Sequence, residues 1–154
     1  MTWSTTEERR VNPEVEALQA TLESLRAGVL KKLAGLSEDD ARRSTVGSGT
    51  SVAGLVQHLT FVESAWFGVE PPRGLRSMTV DPSIPLRTLR ADYKAACQAG
   101  NAVIAAAPDA DAPVTSKGRL GTLRTALLAV IAETARHAGH ADIIREQIDG
   151  VTGR

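Results

Sequence analysis

A carboxylate and two imidazoles share one side of the last helix predicted in this 154-residue chain. Glu133, His137 and His140 stand at i, i+4 and i+7, which places them in one row along the cylinder. Val130 precedes this row and Ile144 continues it, so we expect the row to face inward. A buried charge without a counterpart costs several kcal/mol, and the row therefore predicts a partner from elsewhere in the fold.

His58, the remaining histidine of the chain, supplies such a partner. It lies three residues after Leu55 and four before Val62, on the edge of the apolar stripe of another predicted helix. Two helices that both project ligands into a shared core are a common way to build a metal site. Imidazole and carboxylate ligands suit zinc, nickel, iron(II) or manganese, and three protein ligands plus water form an open, catalytic zinc site.

The alternatives to a metal site are ordinary surface interactions. A single histidine on an amphipathic helix is more often a hydrogen-bonded boundary residue, and Glu133 can pair with Arg136 or His137 along its own helix. The three histidines and Glu133 are all predicted to lie on the inner faces of two helices, and this favours a metal site over such surface interactions. If His140 also binds the ion, four protein ligands close the site and favour a structural role.

Four long helices are predicted to position these residues. The first begins at Asn12-Pro13 and ends before Gly35, with a short helical turn after Ser37. The second runs from a cap at Thr50 or Ser51 to Gly68, the third roughly from Arg87 to Ala107, and the fourth from a cap at Thr122 to Gly150. No useful strand-like alternation is found, and the segment around Pro113 and Gly118 is predicted to be a polar loop. A proline-rich connection over 69–86 is long enough to join parallel helices.

Composition excludes several classes of function. The 18 basic residues balance the 18 acidic ones, so neither nucleic acid nor an anionic membrane is an expected partner. Cys97 is the only cysteine, which excludes an intrachain disulfide and favours a reducing, cytoplasmic location. The longest apolar runs are far shorter than the ~20 residues of a membrane span, and the N-terminus lacks the apolar core of a secretory signal. We expect a flexible arm over 1–12 and a single all-α, four-helix-bundle domain over 13–150.

Three segments of the sequence resemble the DinB/YfiT-like superfamily of metal-dependent enzymes. They are Gly35 to Ser37, Ser48 to Leu59 with Glu63 and Trp66-Phe67 after it, and Glu133 to Asp142 through Arg145-Glu146. The resemblance covers most of the chain and is closest to an actinobacterial-type branch with the Arg-His-Ala-Gly-His-Ala-Asp signature. It implies a DinB-like bundle with crossed, up-down-down-up connectivity, in which the second and third helices run parallel.

The resemblance also implies a metal ligand set. By this resemblance, His58 is one metal ligand, and two more, Glu133 and His137, lie on the last helix. Many members of the superfamily have a histidine at the position of Glu133. The combination of two histidines and one glutamate is similar to the mycothiol-dependent maleylpyruvate isomerases. His140 has no counterpart there and is open to three roles: a fourth ligand, a general base, or a polar neighbour. Arg136 borders the row and can hold the carboxylate of an acidic thiol or substrate.

The activity expected from these features is a divalent-metal-dependent thiol S-transferase or isomerase. Zinc is the first candidate metal, with nickel or iron next, and the cosubstrate is a low-molecular-weight thiol such as mycothiol, held as thiolate and transferred to a small electrophile. Cys97 is a poor nucleophile candidate because it lies on an alanine-rich face without a flanking histidine.

Two other functions fit the same residues. The ligands also suit a non-haem iron enzyme, and a metal-stabilised helical binding module is the non-enzymatic alternative. A homodimer is compatible with the apolar flanks of the first or third helix. The charged residues of the last helix are expected to form mainly a solvated face: Arg136, Asp142, Arg145, Glu146 and Asp149.

Overall fold

A computed structural model describes residues 12–72 and 77–153, and its long helices lie where the apolar periodicity predicts them. The expected arm over 1–12 falls outside the described residues, apart from the cap Asn12. The elements are α1 (Pro13–Leu33), α2 (Glu38–Arg42), α3 (Val52–Phe67), α4 (Leu86–Ala106), β1 (Pro113–Ser116), β2 (Arg119–Thr122) and α5 (Leu123–Asp149). The prediction of an all-α fold class is confirmed, with one small hairpin added.

Side-chain caps fix where the helices begin. Asn12, Ser51 and Thr122 each accept a hydrogen bond from a backbone N–H two or three residues further on, which satisfies amides that have no partner within the helix. Gly68 and Gly150 end α3 and α5 in the left-handed conformation, at φ 67° and 75°. These residues set the start and end of both helices that carry the histidines.

Ion pairs at both ends of α1 show that α1 and α5 run in the same direction. Arg124 contacts Glu14 near the start of both helices, with Nε 2.5 Å from Oε1. Lys32 Nζ lies 2.6 Å from Asp142 Oδ1 near their ends.

The two middle helices run opposite to α1 and α5. The end of α3 packs with the start of α5, because Phe67 and Leu123 share one core cluster, whereas Val52 and Ile144 share the other. The end of α4 also meets the end of α3: a Cβ added to Gly100 would lie 2.7 Å from Phe67 Cδ2. The segment 68–85 therefore returns the chain along the bundle before α4 begins.

A β-hairpin replaces the polar loop predicted around Pro113 and Gly118. Strands β1 and β2 pair antiparallel from Pro113 opposite Thr122 to Ser116 opposite Arg119. Lys117 and Gly118 form the turn with φ of 50° and 75°, the positive values that a tight two-residue hairpin favours. Four-residue strands are too short to leave a clear alternation in the sequence, which is why the hairpin was not predicted.

The hairpin is attached to the end of α3. The Lys117 amide donates to the Ala65 carbonyl at 2.8 Å, and Ser116 Oγ donates to the Trp66 carbonyl at 2.6 Å. Gly68 approaches so closely that an added Cβ would lie 2.3 Å from the Thr115 carbonyl oxygen. Only glycine fits there, because the position combines this crowding with a positive φ.

Arg145 corrects the expectation that the charged residues of α5 form mainly a solvated face. Its side chain is buried and donates to the carbonyls of Lys32 at 3.0 Å and Ala34 at 2.6 Å, at the C-terminus of α1. Its Nε also donates to Asp149 at 2.9 Å. A cation at the carbonyl end of a helix satisfies unpaired acceptors and complements the helix dipole.

The bundle core contains a buried bidentate ion pair between α1 and α3. Arg26 Nε and Nη2 donate to the two Glu63 oxygens at 2.7 and 2.6 Å, and both side chains are almost fully buried. Arg26 Nη1 also donates to Glu23 at 2.8 Å and to Asn101 of α4 at 2.7 Å. One guanidinium thus joins three helices.

No helix within residues 12–72 and 77–153 combines the length and apolar character that a membrane span requires.

We expect Glu63→Ala to destabilise the fold by about 3–5 kcal/mol, because it leaves the buried Arg26 charge unpaired. The double change Arg26→Met with Glu63→Leu should recover most of this loss, since it removes both charges and keeps the apolar volume. Denaturant unfolding of the purified proteins measures both. Asp40→Asn is the control: it breaks an exposed ion pair with Arg43 and should change stability by no more than about 1 kcal/mol. Equal effects of Glu63→Ala and Asp40→Asn would contradict the prediction.

Candidate metal centre

The antiparallel packing of α3 against α5 brings together three of the four predicted ligands. His58 lies in the middle of α3, and Glu133 and His137 lie in the middle of α5, one turn apart. All three side chains are half-buried, with between 12% and 28% of each exposed. They are therefore sheltered by the bundle and still reached from solvent.

Each side chain turns a ligand atom toward one common point. Glu133 Oε2 lies 3.4 Å from His137 Nε2 and 3.8 Å from His58 Nε2. The two imidazoles meet edge to face, with ring centroids 4.7 Å apart and planes at 84°. One ligand atom from each residue lies within 4.8 Å of the other two.

These separations fit a first-row divalent ion. At zinc–ligand distances of about 2.0–2.2 Å, neighbouring atoms of a tetrahedron lie about 3.3–3.6 Å apart. The two measured contacts of Glu133 Oε2 are close to this range. Two imidazoles and one carboxylate are also a ligand set that zinc accepts, and they leave a fourth position for another ligand. The donor set and its geometry therefore fit the metal that the sequence predicts.

Arg136 fixes the carboxylate of Glu133. Its Nη1 donates to Glu133 Oε1 at 2.9 Å, so the other oxygen, Oε2, is the one that faces the histidines. Burial acts to raise the pKa of Glu133, but the charge and hydrogen bond of Arg136, together with His137 and His58, outweigh it and lower that pKa. The carboxylate stays ionised at neutral pH, which a metal ligand requires.

His137 is held in its neutral form. Burial lowers the pKa of its imidazole, and the neighbouring His58 lowers it further, whereas Glu133 acts in the opposite direction. A neutral imidazole has a free nitrogen lone pair for a metal ion.

His140 contacts His137 on the side away from the three converging atoms. The two Nδ1 atoms lie 3.3 Å apart, and the ring centroids 5.4 Å apart. His140 is exposed and does not belong to the group of three that converges. His140 therefore lies next to the other ring nitrogen of a candidate ligand, and its inclusion in the site stays a prediction.

Two cavities lie along α3 and α5, the helices that carry the candidate ligands. One, of about 600 Å³, begins at Phe61, one turn after His58, and extends past the end of α3 to the hairpin residues Thr115 and Lys117. The other, of about 290 Å³, begins at His140 and extends toward the end of α5 and the loop before α3. The sequence gave no signal for the loop wall of the smaller cavity, because long-range packing brings this loop to α5.

Cys97 is not placed to act as a nucleophile in this centre. It lies on α4 against the apolar core, and burial raises the pKa of its thiol to about 12. Its neighbours are Tyr93 and the Arg26–Glu63 pair, on the far side of α3 from the histidines.

Fold and site together define a helical protein with a candidate two-histidine, one-carboxylate metal centre between α3 and α5. A sequence model of the family described as mycothiol-S-transferase matches residues 17–150. The chain therefore belongs to the mycothiol-S-transferase family, in agreement with the DinB/YfiT-like resemblance. A search of curated proteins finds no match to the chain.

We expect the His137 imidazole of the metal-free protein to titrate below the ordinary histidine value near 6.5. At pH values between the lowered pKa of the folded protein and 6.5, the unfolded chain binds the proton more readily than the folded protein does. His137 therefore stabilises the fold at pH values above this range, and this contribution is lost as the pH falls through it. Nuclear magnetic resonance of the ring carbons measures the midpoint.

His58→Asn should raise this midpoint because it removes the repulsion from a second imidazolium, and Glu133→Gln should lower it because it removes the attracting carboxylate. A midpoint at or above 6.5 in the wild-type protein contradicts the electrostatic description of the site.

Proposed function

We propose that this chain is a metal-dependent thiol S-transferase that uses mycothiol or a closely similar low-molecular-weight thiol. The observation that carries the proposal is the convergence of His58, Glu133 and His137 from two helices, in a chain of the mycothiol-S-transferase family. These three residues would hold the ion, with zinc the first candidate and nickel or iron(II) next.

A divalent ion at this position would bind the thiol of the cosubstrate as thiolate at neutral pH. The thiol proton passes to solvent, and the reaction is then a displacement or an addition by sulfur, whose electron pair forms a bond to the electrophilic atom. In a displacement the leaving group departs with the bonding pair, and in an addition the π bond breaks and its electron pair takes up a proton from solvent. The protein needs no strong base for this step. The protein must hold the metal ligands rigidly and provide space for both substrates. It must also keep its own thiol from competing with the cosubstrate.

Two neighbouring residues, Arg136 and His140, hold the candidate ligands rigidly in this proposal. Arg136 holds Glu133 through Oε1 and so keeps Oε2 directed at the histidines. We assign a matching role to His140: with Nδ1 of His140 as acceptor, Nδ1–H of His137 donates to it and the Nε2 lone pair of His137 is left for the metal. His140 and Arg136 are thus positioning residues in this proposal.

The reactive sulfur must come from a separate molecule. Cys97, the single cysteine of the sequence, has a raised thiol pKa and faces the core. Reduced thiols of low molecular weight are abundant in the cytoplasm, which is where we place the reaction.

We expect purified protein to bind about one zinc ion per chain in calorimetric titration. His58→Ala, His137→Ala and Glu133→Gln should each weaken binding by more than the roughly 10- to 100-fold that loss of a ligand's hydrogen-bond partner causes. Transfer of mycothiol to 2-chloroacetamide should fall in parallel and should stop when a chelator removes the metal.

Glu146→Gln is the matched control, because Glu146 is an exposed glutamate on the same helix. It should change neither zinc affinity nor turnover. Wild-type protein that binds neither zinc, nickel nor iron(II), and whose activity a chelator leaves unchanged, would rule out the metal-dependent mechanism.

We expect His140→Leu to weaken zinc binding by about 10- to 100-fold, because His137 loses the partner of its Nδ1. His140→Gln should recover part of the affinity, since an amide oxygen can accept the same hydrogen bond. Calorimetry with zinc checks both variants, and unfolding measurements check that stability is unchanged. If His140→Leu binds zinc like the wild type, His140 does not orient His137. If its loss equals that of His137→Ala, His140 is itself a ligand.

A further inference from the structure

The smaller of the two cavities along α3 and α5 has an apolar lining. Six residues form it: Val46, Ser48, Thr50, His140, Ile143 and Ile144. The hydroxyls of Ser48 and Thr50 lie 2.9 Å apart and hydrogen-bond to each other. The polar side chains of the loop wall are thus already partnered, and aliphatic carbon dominates the rest of the surface.

Two large aliphatic side chains are exposed at this cavity. Val46 is 39% exposed and Ile143 is 58% exposed, although most apolar residues of α5 are packed in the core. Single exposed apolar residues are common, whereas two that line one concavity form a joint apolar surface of the kind found in ligand pockets. The loop that carries Val46 is held in place, because Thr45 Oγ1 donates to Gln147 of α5.

His140 lies between this cavity and the candidate metal centre. It belongs to the cavity lining, and its Nδ1 lies 3.3 Å from Nδ1 of His137. Because α3 and α5 are antiparallel, this cavity and the one that begins at Phe61 extend toward opposite ends of the bundle. The larger cavity, with Glu70 and Lys117 in its lining, suits a polar molecule, whereas the smaller one does not.

We propose that the cavity lined by Val46, His140 and Ile143 binds the apolar part of the electrophile, so that the preferred substrates are electrophiles that carry a short alkyl chain or a single aromatic ring. This inference rests on the proposed S-transferase function. A volume of about 290 Å³ is consistent with that size, because a closed cavity of about 150 Å³ already accepts benzene. Sites of this kind are mainly apolar with a few polar groups, and His140, which contacts the candidate ligand His137, is such a group in this cavity.

A series of N-alkyl 2-chloroacetamides tests the assignment. Every member has the same reacting carbon: the thiolate forms a C–S bond there, the C–Cl bond breaks, and chloride leaves with the bonding electrons. Only the length of the apolar arm changes. We expect kcat/KM with mycothiol to rise by up to about fourfold for each methylene from N-methyl to N-butyl, the value of one buried methylene.

Ile143→Asn should reduce the dependence of kcat/KM on the length of the alkyl arm. We expect the N-butyl compound to lose about tenfold in kcat/KM and the N-methyl compound to lose less than about twofold, because only the longer arm reaches the altered wall. Val46→Asn should act in the same way from the opposite wall. Ile143 and Val46 are exposed, so neither change is expected to prevent folding. Leu128→Asn is the matched control: it places the same polar residue at an exposed leucine of α5 outside the cavity, and the wild-type series should remain.

A binding measurement without turnover separates this inference from the proposed function. N-benzylacetamide has the apolar arm but no leaving group, and it should shift the methyl resonances of Val46 and Ile143 in the wild-type protein. If these signals shift but no chloroacetamide is turned over, the cavity assignment is supported and the transferase function fails. If turnover is found with equal rates along the series and N-benzylacetamide leaves these signals unchanged, the function stands and the cavity assignment is overturned. A steep series that Ile143→Asn leaves unchanged also overturns it.

Discussion

The buried ion pair between Arg26 and Glu63 is the constraint on which the geometry of the bundle depends. A buried carboxylate must face its counterion, so the pair fixes the rotation of α3 about its own axis. His58 lies five residues before Glu63 on this helix, about 140° around the cylinder. When Glu63 faces Arg26, His58 is therefore turned toward α5, where Glu133 and His137 lie. The Arg26–Glu63 pair does not itself belong to the candidate metal site, yet it determines which way His58 faces.

The sequence was most informative where local rules decide the structure. Periodicity and capping residues predicted the long helices within a residue or two, because each helix has one apolar stripe and a clear start and end. The same periodicity placed Glu133 and His137 on an inner face, and the structure brings both close to His58. That these three residues bind a metal stays a prediction. The roles of His140 and Arg136 stay predictions, although each contacts a residue of this group.

The features that were missed depend on contacts between distant segments. Arg145 follows the charged pattern of an exposed helix face, and nothing near it in the sequence shows that the end of α1 lies above it with unpaired carbonyls. The hairpin is held by backbone groups at the end of α3, which have no sequence signature of their own. Likewise, Val46 gains its place beside Ile143 only because the loop before α3 folds back on α5. Local propensity cannot report such long-range packing.

The position of Cys97 has a consequence for an enzyme that handles electrophiles. A protein that brings alkylating molecules close to a thiolate exposes every reactive side chain of its own to the same chemistry. Alkylation of cysteine requires the thiolate, and burial holds the pKa of the single thiol of this chain near 12. The cysteine packs against the core on α4, behind α3 as seen from the histidines. For the proposed transferase function, this arrangement would protect the protein from alkylation by its substrates.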